Sequence, residues 1–364
     1  MILFTLIFFS VLGLTAFYMG SRLSWATGIG RWWLVAALFI LALVSLPSML
    51  GARHYFPVLH PVVVMLSAAV GVLLYMLMVM LLTDIVNIFA HFQPKTFVFI
   101  IAAGTVLIST FGIVNTSWPR LKTVDIELPK LTEPVQIAQL SDVHLGHFRG
   151  RRNLEKLLAQ VNKTDAQMVV ITGDMFESFY NLEPETLEPL KKLTVPIFFV
   201  SGNHDMYVDV DSVKRLMRDA GVNVLENNMM ECCGIQLVGL DYMRPDDRTF
   251  DHMHAGVGRE TIENTLPTIA LDSARPSILL HHNPVGTEYA EKAGIGLYLA
   301  GHTHGGQLFP VTLMNDRIFN YNRGLYRLGN LQIYTSEGSG TFGPPMRIGT
   351  RSEVTLIRLK PSVE

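Results

Sequence analysis

The chain has 364 residues, 49% hydrophobic and only 16% charged. Soluble domains carry about 25% charged residues, and the mean hydropathy of +0.31 is high. A disordered chain and a wholly soluble one are both excluded. Charge is also unevenly spread. Residues 1–115 hold four basic groups (Arg22, Arg31, Arg53, Lys95) and one acidic (Asp84), whereas the rest hold 25 basic and 30 acidic. That acidic remainder argues against a nucleic-acid partner.

Four runs in the first third lack charge: about 1–21, 32–52, 61–83 and 96–118. Each has about the length a bilayer crossing demands, roughly 20 residues. Trp32, Trp33, Tyr55, Phe56 and Trp118 stand near the run ends, where interfacial aromatics belong. The first run has no basic lead and no small-residue cleavage site, so it reads as a retained helix. The expected organisation is an all-α, four-helix transmembrane region over 1–119 and a polar domain over 120–364. The protein is then multi-pass in the cell membrane, with the bilayer itself as a partner. Four spans put the N-terminus and the polar domain on one side. Basic residues near the run ends balance three against three. Arg22 and Arg31, following an uncharged first run, tip the domain to the outside of the cytoplasm. Asp84 is expected in a short loop after the third run. No run has an ionisable residue at its middle, which counts against transport.

From residue 120 the pattern changes. PVQIAQL runs into SDVHLG, QMVVIT into GDMFES, VPIFFV into SGNHDMY, SILL into HHNP and LYLA into GHTHGGQ. Each run is short, apolar and rich in Val, Ile, Leu and Phe, as buried strands are. Residues 151–163, 183–193 and 211–220 have helical spacing between them. That alternation predicts an α/β layered domain. GIQLVGLDYM, LQIYTSEG and EVTLIRLK follow without intervening helices, which predicts mixed sheets, two of them facing each other.

Ligands of open α/β sheets sit beyond the carboxyl ends of strands. Here those ends hold Asp142, His144, Asp174, Asn203, His204, His281, His282, His302 and His304. A lone Asp-x-His is usually a turn, and a lone His-Thr-His can be a hydrogen-bonded pair. Five such sets, each after an apolar run, point instead to a metal site. Oxygen and nitrogen donors without thiolate suit Mn, Fe, Zn or Co in a centre that does chemistry. Cys232 and Cys233 are adjacent and form neither a disulfide framework nor a zinc spacing. No Walker-type phosphate loop and no Ser or Cys elbow is present.

DVH, GD, GNHD, a late HNP and GHTHGG, in that order, resemble the calcineurin-like metallophosphoesterase family over roughly residues 130–360. GHTHGGQ and the TSEGSG…PPMR tract are similar to a membrane-associated bacterial subgroup, some of whose relatives cleave a lipid-linked pyrophosphate. The resemblance implies a four-layer sandwich of mixed β-sheets flanked by helices, an α/β (α+β-like) fold. It implies two divalent ions per chain, one held by Asp142, His144, Asp174 and His304. Asp174, Asn203, His282 and His302 would hold the other, with Asp174 shared. His204 matches the non-ligand catalytic histidine, oriented by Asp205 and Glu177. The implied reaction is hydrolysis of a phosphate ester or pyrophosphate by a hydroxide held between the ions. The implied substrate is a phosphorylated small molecule or a lipid-linked phosphate.

One departure is visible. The protein-phosphatase branch shows Gly-Asp-x-x-Asp-Arg, and here GDMFES puts Glu177 and Ser178 in the last two places. A phosphate clamp is missing there. Arg149, Arg151, Arg152 and Arg347 are candidate replacements, each read by itself as a solvated surface charge. Of the adjacent histidines only one can reach the metals, since neighbouring strand side chains point to opposite faces. The family's late histidine precedes one residue and then proline, which fits His282-Asn283-Pro284. His281 would then face away. The competing reading is a membrane sensor or scaffold that keeps the fold without turnover; the completeness of the ligand set weighs against it.

Overall fold

The computed structural model describes residues 2–51, 59–249 and 258–362. Tyr55 and Phe56 lie outside the described residues. The chain divides between Val114 and Asn115 into two compact units, with Gly343–Met346 grouped with the first.

The first unit contains helices α1 (Ile2–Thr27), α2 (Arg31–Gly51), α3 (His60–Ala90) and α4 (Pro94–Thr116). Three of them (α1 over Leu6–Thr27, α3 and α4) are long and apolar enough to cross a membrane, and α2 carries the shorter apolar stretch Arg31–Leu46. Met19, Met80, Phe97 and Ile101 form a small buried cluster. Exposed Leu, Ile and Phe side chains cover much of the rest, as helices solvated by lipid require. The charge-free runs understate α1 and α3, which continue past Arg22 and Asp84. Asp84 is therefore not in a loop. It lies inside α3, where it accepts the Tyr18 hydroxyl at 2.6 Å and pairs with Arg22 of α1. Mutual neutralisation lets both helices run on through a charge.

The second unit is a sandwich of two six-stranded mixed sheets. Its strands are β1 (Arg120–Leu128), β2 (Val135–Leu140), β3 (Met168–Thr172), β4 (Ile197–Val200), β5 (Asn223–Val224), β6 (Asn228–Cys232), β7 (Ile235–Gly239), β8 (Ser277–Leu280), β9 (Leu297–Ala300), β10 (Gly324–Leu328), β11 (Leu331–Thr335) and β12 (Glu353–Pro361). One sheet runs β1-β12-β2-β3-β4-β5 and the other β10-β11-β9-β8-β7-β6. β2, β3, β4 and β5 are mutually parallel, as are β7, β8, β9 and β11.

Period-two alternation builds the layers. Ile137, Met168, Val170, Phe198 and Val200 of the first sheet meet Leu237, Ile278, Leu280, Leu297 and Leu299 of the second in one buried core. The alternate residues Ala138, Val169, Ile171 and Phe199 pack outward with Leu154, Leu158, Val213 and Met217 of the helices Arg151–Val161 and Val210–Asp219. Leu279, Tyr298 and Ala300 do the same on the other side, against Ile262, Leu266 and Ala290. The result is the four-layer arrangement expected. The parallel strands of both sheets end at the same rim, and that rim carries the chemistry.

Candidate metal centre

Each motif begins where a parallel strand stops. Asp142 and His144 follow β2, Asp174 follows β3, Asn203 and His204 follow β4, His282 follows β8, and His302 and His304 follow β9. Five of them sit in left-handed backbone that non-glycine residues seldom adopt: Asp142 (φ 52°), His144 (51°), Asp174 (54°), His302 (71°) and His304 (50°). Such conformations cost of order 1–3 kcal/mol each and persist where the surroundings over-determine them. Here they turn residues two apart toward one point. Two glycines permit the closeness. A Cβ on Gly202 would strike the Asp174 carboxylate, and one on Gly301 would strike Ser141 and Asp142.

Donor atoms gather in three groups: Asp142–His144–His304, Asp174–His282–His302 and, sharing His144 with the first, His144–Glu177–His204. In the first, His304 Nε2 lies 3.2 Å from Asp142 Oδ1 and 3.0 Å from His144 Nε2. In the second, His282 Nε2 lies 3.0 Å from Asp174 Oδ2 and 3.2 Å from His302 Nδ1, which is 2.9 Å from Asn203 Oδ1. The groups touch: Asp174 Oδ2 is 3.8 Å from His144 Nε2, and Asp142 Oδ1 is 3.9 Å from His282 Nε2. All seven residues expected as ligands thus converge.

Hydrogen bonds at the far nitrogens orient the rings. His282 Nδ1 lies 2.7 Å from the Thr172 carbonyl oxygen, which can only accept, so Nδ1 carries a proton and Nε2 is the atom turned toward Asp174. His144 Nδ1 lies 2.5 Å from Glu177 Oε2, with the same consequence. His304 differs. Its Nδ1 faces Arg347 Nη2 at 3.0 Å, a donor, so its Nε2 carries a proton toward Asp142 that an ion must displace. Backbone amides fix the carboxylates: His302 N–H donates to Asp142, and His204 N–H to Asp174 Oδ1 at 2.8 Å.

The electrostatics ask for cations. Burial alone would raise the Asp142 and Asp174 carboxyls, but the facing imidazoles, led by His304 and His282 respectively, outweigh it and hold both below the usual range. Burial likewise opposes His282, yet Asp174 and Asp142 push it up to about 9. Burial draws His304 down to about 4. Burial and the Asp174 charge push Asp205 up to about 7. Carboxylate oxygens and imidazole nitrogens about 3 Å apart match donors on a shared ion, where bonds of about 2.1 Å set them roughly 3.0–3.4 Å apart, and an arriving cation displaces the protons between them. The donor set fits divalent metals.

His204 stands at the rim, its side chain 15% exposed, with Nδ1 2.8 Å from Glu177 Oε2. One Glu177 oxygen therefore holds both His144 and His204. Asp205 does not face His204; its oxygens accept the Phe176 and Gly202 amides and cap the helix Asn203–Val208. His281 turns away, with Nδ1 2.8 Å from both the Asn283 carbonyl and the Tyr298 hydroxyl.

Some neighbours were not foreseen. Tyr242 packs its ring 6.0 Å from His282 and 6.1 Å from His302, and Phe342 packs 5.0 Å from His304. Tyr242 lies three residues past the end of β7, so the strand-end rule that found the ligands reaches it too; Phe342 has no comparable signal. Arg347 and Arg149 are not surface charges. Arg347 is fully buried and donates to the carbonyls of Glu337, Gly338 and Gly340. Arg149 donates to Thr341 Oγ1 at 2.6 Å. The carbonyls of residues 337–341 and the Thr341 hydroxyl absorb both charges, so neither side chain is free to clamp a phosphate, while Arg151 remains exposed, as expected.

Two facing mixed sheets whose parallel strands end in a paired carboxylate–imidazole cluster define the metallohydrolase class. Residues 135–306 match the model of the calcineurin-like phosphoesterases. A metallophosphoesterase of Aquifex aeolicus is 30% identical over 263 residues, 70% of this chain and 97% of that protein. The chain belongs to the calcineurin-like metallophosphoesterase family. A "transmembrane protein with metallophosphoesterase domain" of Danio rerio is 34% identical over 274 residues, covering 70% of this chain and 61% of that one. A metallophosphoesterase of Campylobacter jejuni is 32% identical over 252 residues, 66% of this chain and 63% of that one. The matched stretch thus spans somewhat less than two thirds of these last two relatives.

The adjacent histidines give a direct test. His282→Ala is expected to lower bound metal and abolish turnover. His281→Ala removes a hydrogen bond to a buried tyrosine and should cost about 1–3 kcal/mol of stability, leaving metal content intact. Metal analysis beside thermal unfolding reads both. Metal loss in His281→Ala with none in His282→Ala would reverse the assignment.

Proposed function

We propose that the chain is a membrane-anchored, metal-dependent phosphoesterase with two ion sites. Asp142, His144, Asp174 and His304 form one; Asp174, Asn203, His282 and His302 form the other. The observation that carries this reading is the convergence of two donor groups on the Asp142 and Asp174 carboxylates, with the His144 and His282 Nε2 atoms turned toward them.

Two divalent ions held there supply Lewis-acid polarisation of a phosphoryl oxygen and a water acidic enough to act at neutral pH. The protein's residues do the rest. Glu177 holds the His204 ring at the rim, where the imidazole meets the leaving oxygen and protonates it. The same oxygen keeps the proton of His144 on Nδ1. The three membrane-length helices support anchoring, and anchoring favours a substrate at the bilayer, such as a lipid-linked phosphate.

The test uses the full chain, purified in detergent and loaded with Mn²⁺. It should hydrolyse bis-p-nitrophenyl phosphate, lose the activity with a chelator and regain it on Mn²⁺ return. The protein should also stay in the membrane pellet after alkaline carbonate washing. A folded, Mn-loaded chain inert toward a panel of phosphate mono- and diesters would sink the enzymatic reading, and release by carbonate the anchored one.

A further inference from the structure

The helix Val311–Ile318 is inside out. Its buried positions are polar: Thr312 and Asn315 face the domain, and Asn315 Nδ2 donates to the Thr303 carbonyl at 3.2 Å. Its outward positions are apolar. Val311 is 42% exposed, Leu313 62%, Met314 59% and Ile318 61%. Phe309 before it and Phe342 nearby in the second unit are also exposed. In water an amphipathic helix turns its apolar stripe to the core, so this one is built for an apolar phase outside the domain. It also borders the metal centre. Thr303, which Asn315 holds, stands between the ligand candidates His302 and His304, and Phe319 at the helix end packs 5.8 Å from the His302 ring.

We propose that Val311–Ile318 lies in the surface of the lipid bilayer and brings the metal centre to a phosphate carried by a membrane lipid. This rests on the phosphoesterase reading and names its substrate class. The chain itself argues for the occupant. Only Ser117–Pro119 separate α4 from β1, a reach of at most about 14 Å, so whatever its orientation the domain is held near a membrane. Interfacial helices bury such a stripe at the headgroup–acyl boundary. The polar groups on the helix suit that place. Asp316 accepts from Asn322, while Arg317 is exposed and offers a cation to lipid phosphate.

The test places the full chain in nanodiscs of phosphatidylcholine and phosphatidic acid. An environment-sensitive dye is attached to Met314→Cys, with Cys232→Ser and Cys233→Ser removing the native thiols; Asp219→Cys, exposed on another helix, is the control. Spin-labelled lipid should quench the dye several-fold more at 314 than at 219. Equal quenching overturns the proposal. So does self-quenching between labelled chains without lipid quenching, which would assign the face to a second copy.

A second arm reads turnover in Leu313→Ser/Met314→Ser/Ile318→Ser. Hydrolysis of bis-p-nitrophenyl phosphate should be unchanged, while that of phosphatidic acid falls at least about tenfold. Equal loss on both substrates overturns the proposal, because the helix would then act through the fold of the site. Unmodified chain that turns over the soluble diester but no phosphatidic acid overturns delivery of a lipid phosphate. Unmodified chain inert on both removes the phosphoesterase reading, and the quenching result still decides docking.

Discussion

Asp174→Asn is expected to leave the chain with fewer than two ions and turnover near zero. The Asp174 carboxylate stands between the two donor groups, with Oδ2 3.0 Å from His282 Nε2 and 3.8 Å from His144 Nε2, while Oδ1 is held by the His204 amide. Among the described residues Asp142 also faces an imidazole of each group, but from farther off, 4.0 Å from His144 and 3.9 Å from His282. Asparagine keeps the shape and removes the charge, so the loss reads electrostatics and not packing. The pair of measurements is metal content by mass spectrometry and hydrolysis of bis-p-nitrophenyl phosphate. Asp142→Asn serves as comparison and should strip the first group more than the second. Two ions per chain in Asp174→Asn would refute its shared role.

The layered fold and the converging residues were readable for a common reason. Buried parallel strands are continuous apolar runs, and a ligand residue at a strand end breaks such a run abruptly, so SILL-HHNP and LYLA-GHTHGG mark strand, rim and donor together. What was less readable depends on tertiary contacts that no local pattern carries. β1 is half exposed and alternates, and β10 is similar, so neither shows an apolar run. Asp84 looked like a loop charge because its partner Arg22 lies 62 positions away. Arg347 looked like a surface charge because the carbonyls that bury it form only when the loops around Gly338 and Gly340 close on it. The inverted helix Val311–Ile318 defeats pattern reading altogether, since its apolar spacing predicts the buried face that the fold gives to Thr312 and Asn315.

His204→Ala and Glu177→Gln together separate proton delivery from ion binding. His204 contributes its backbone amide to Asp174 and its ring to the rim. Alanine keeps the amide, so metal content should stay at the wild-type value. Rate should fall about 10²–10⁴-fold, the range for losing a general acid. The loss should shrink for esters with acidic leaving groups, whose oxygen departs without a proton. Glu177→Gln acts on both imidazoles at once, because one oxygen serves His144 Nδ1 at 2.5 Å and His204 Nδ1 at 2.8 Å. A neutral amide orients His144 less firmly and makes it a poorer ligand, so metal affinity should drop about 10–100-fold, the usual cost of losing such a partner. Raising Mn²⁺ should then restore part of the Glu177→Gln rate and none of the His204→Ala rate. Metal loss in His204→Ala would make that ring a ligand, and a His204→Ala defect independent of leaving group would remove its role as the acid.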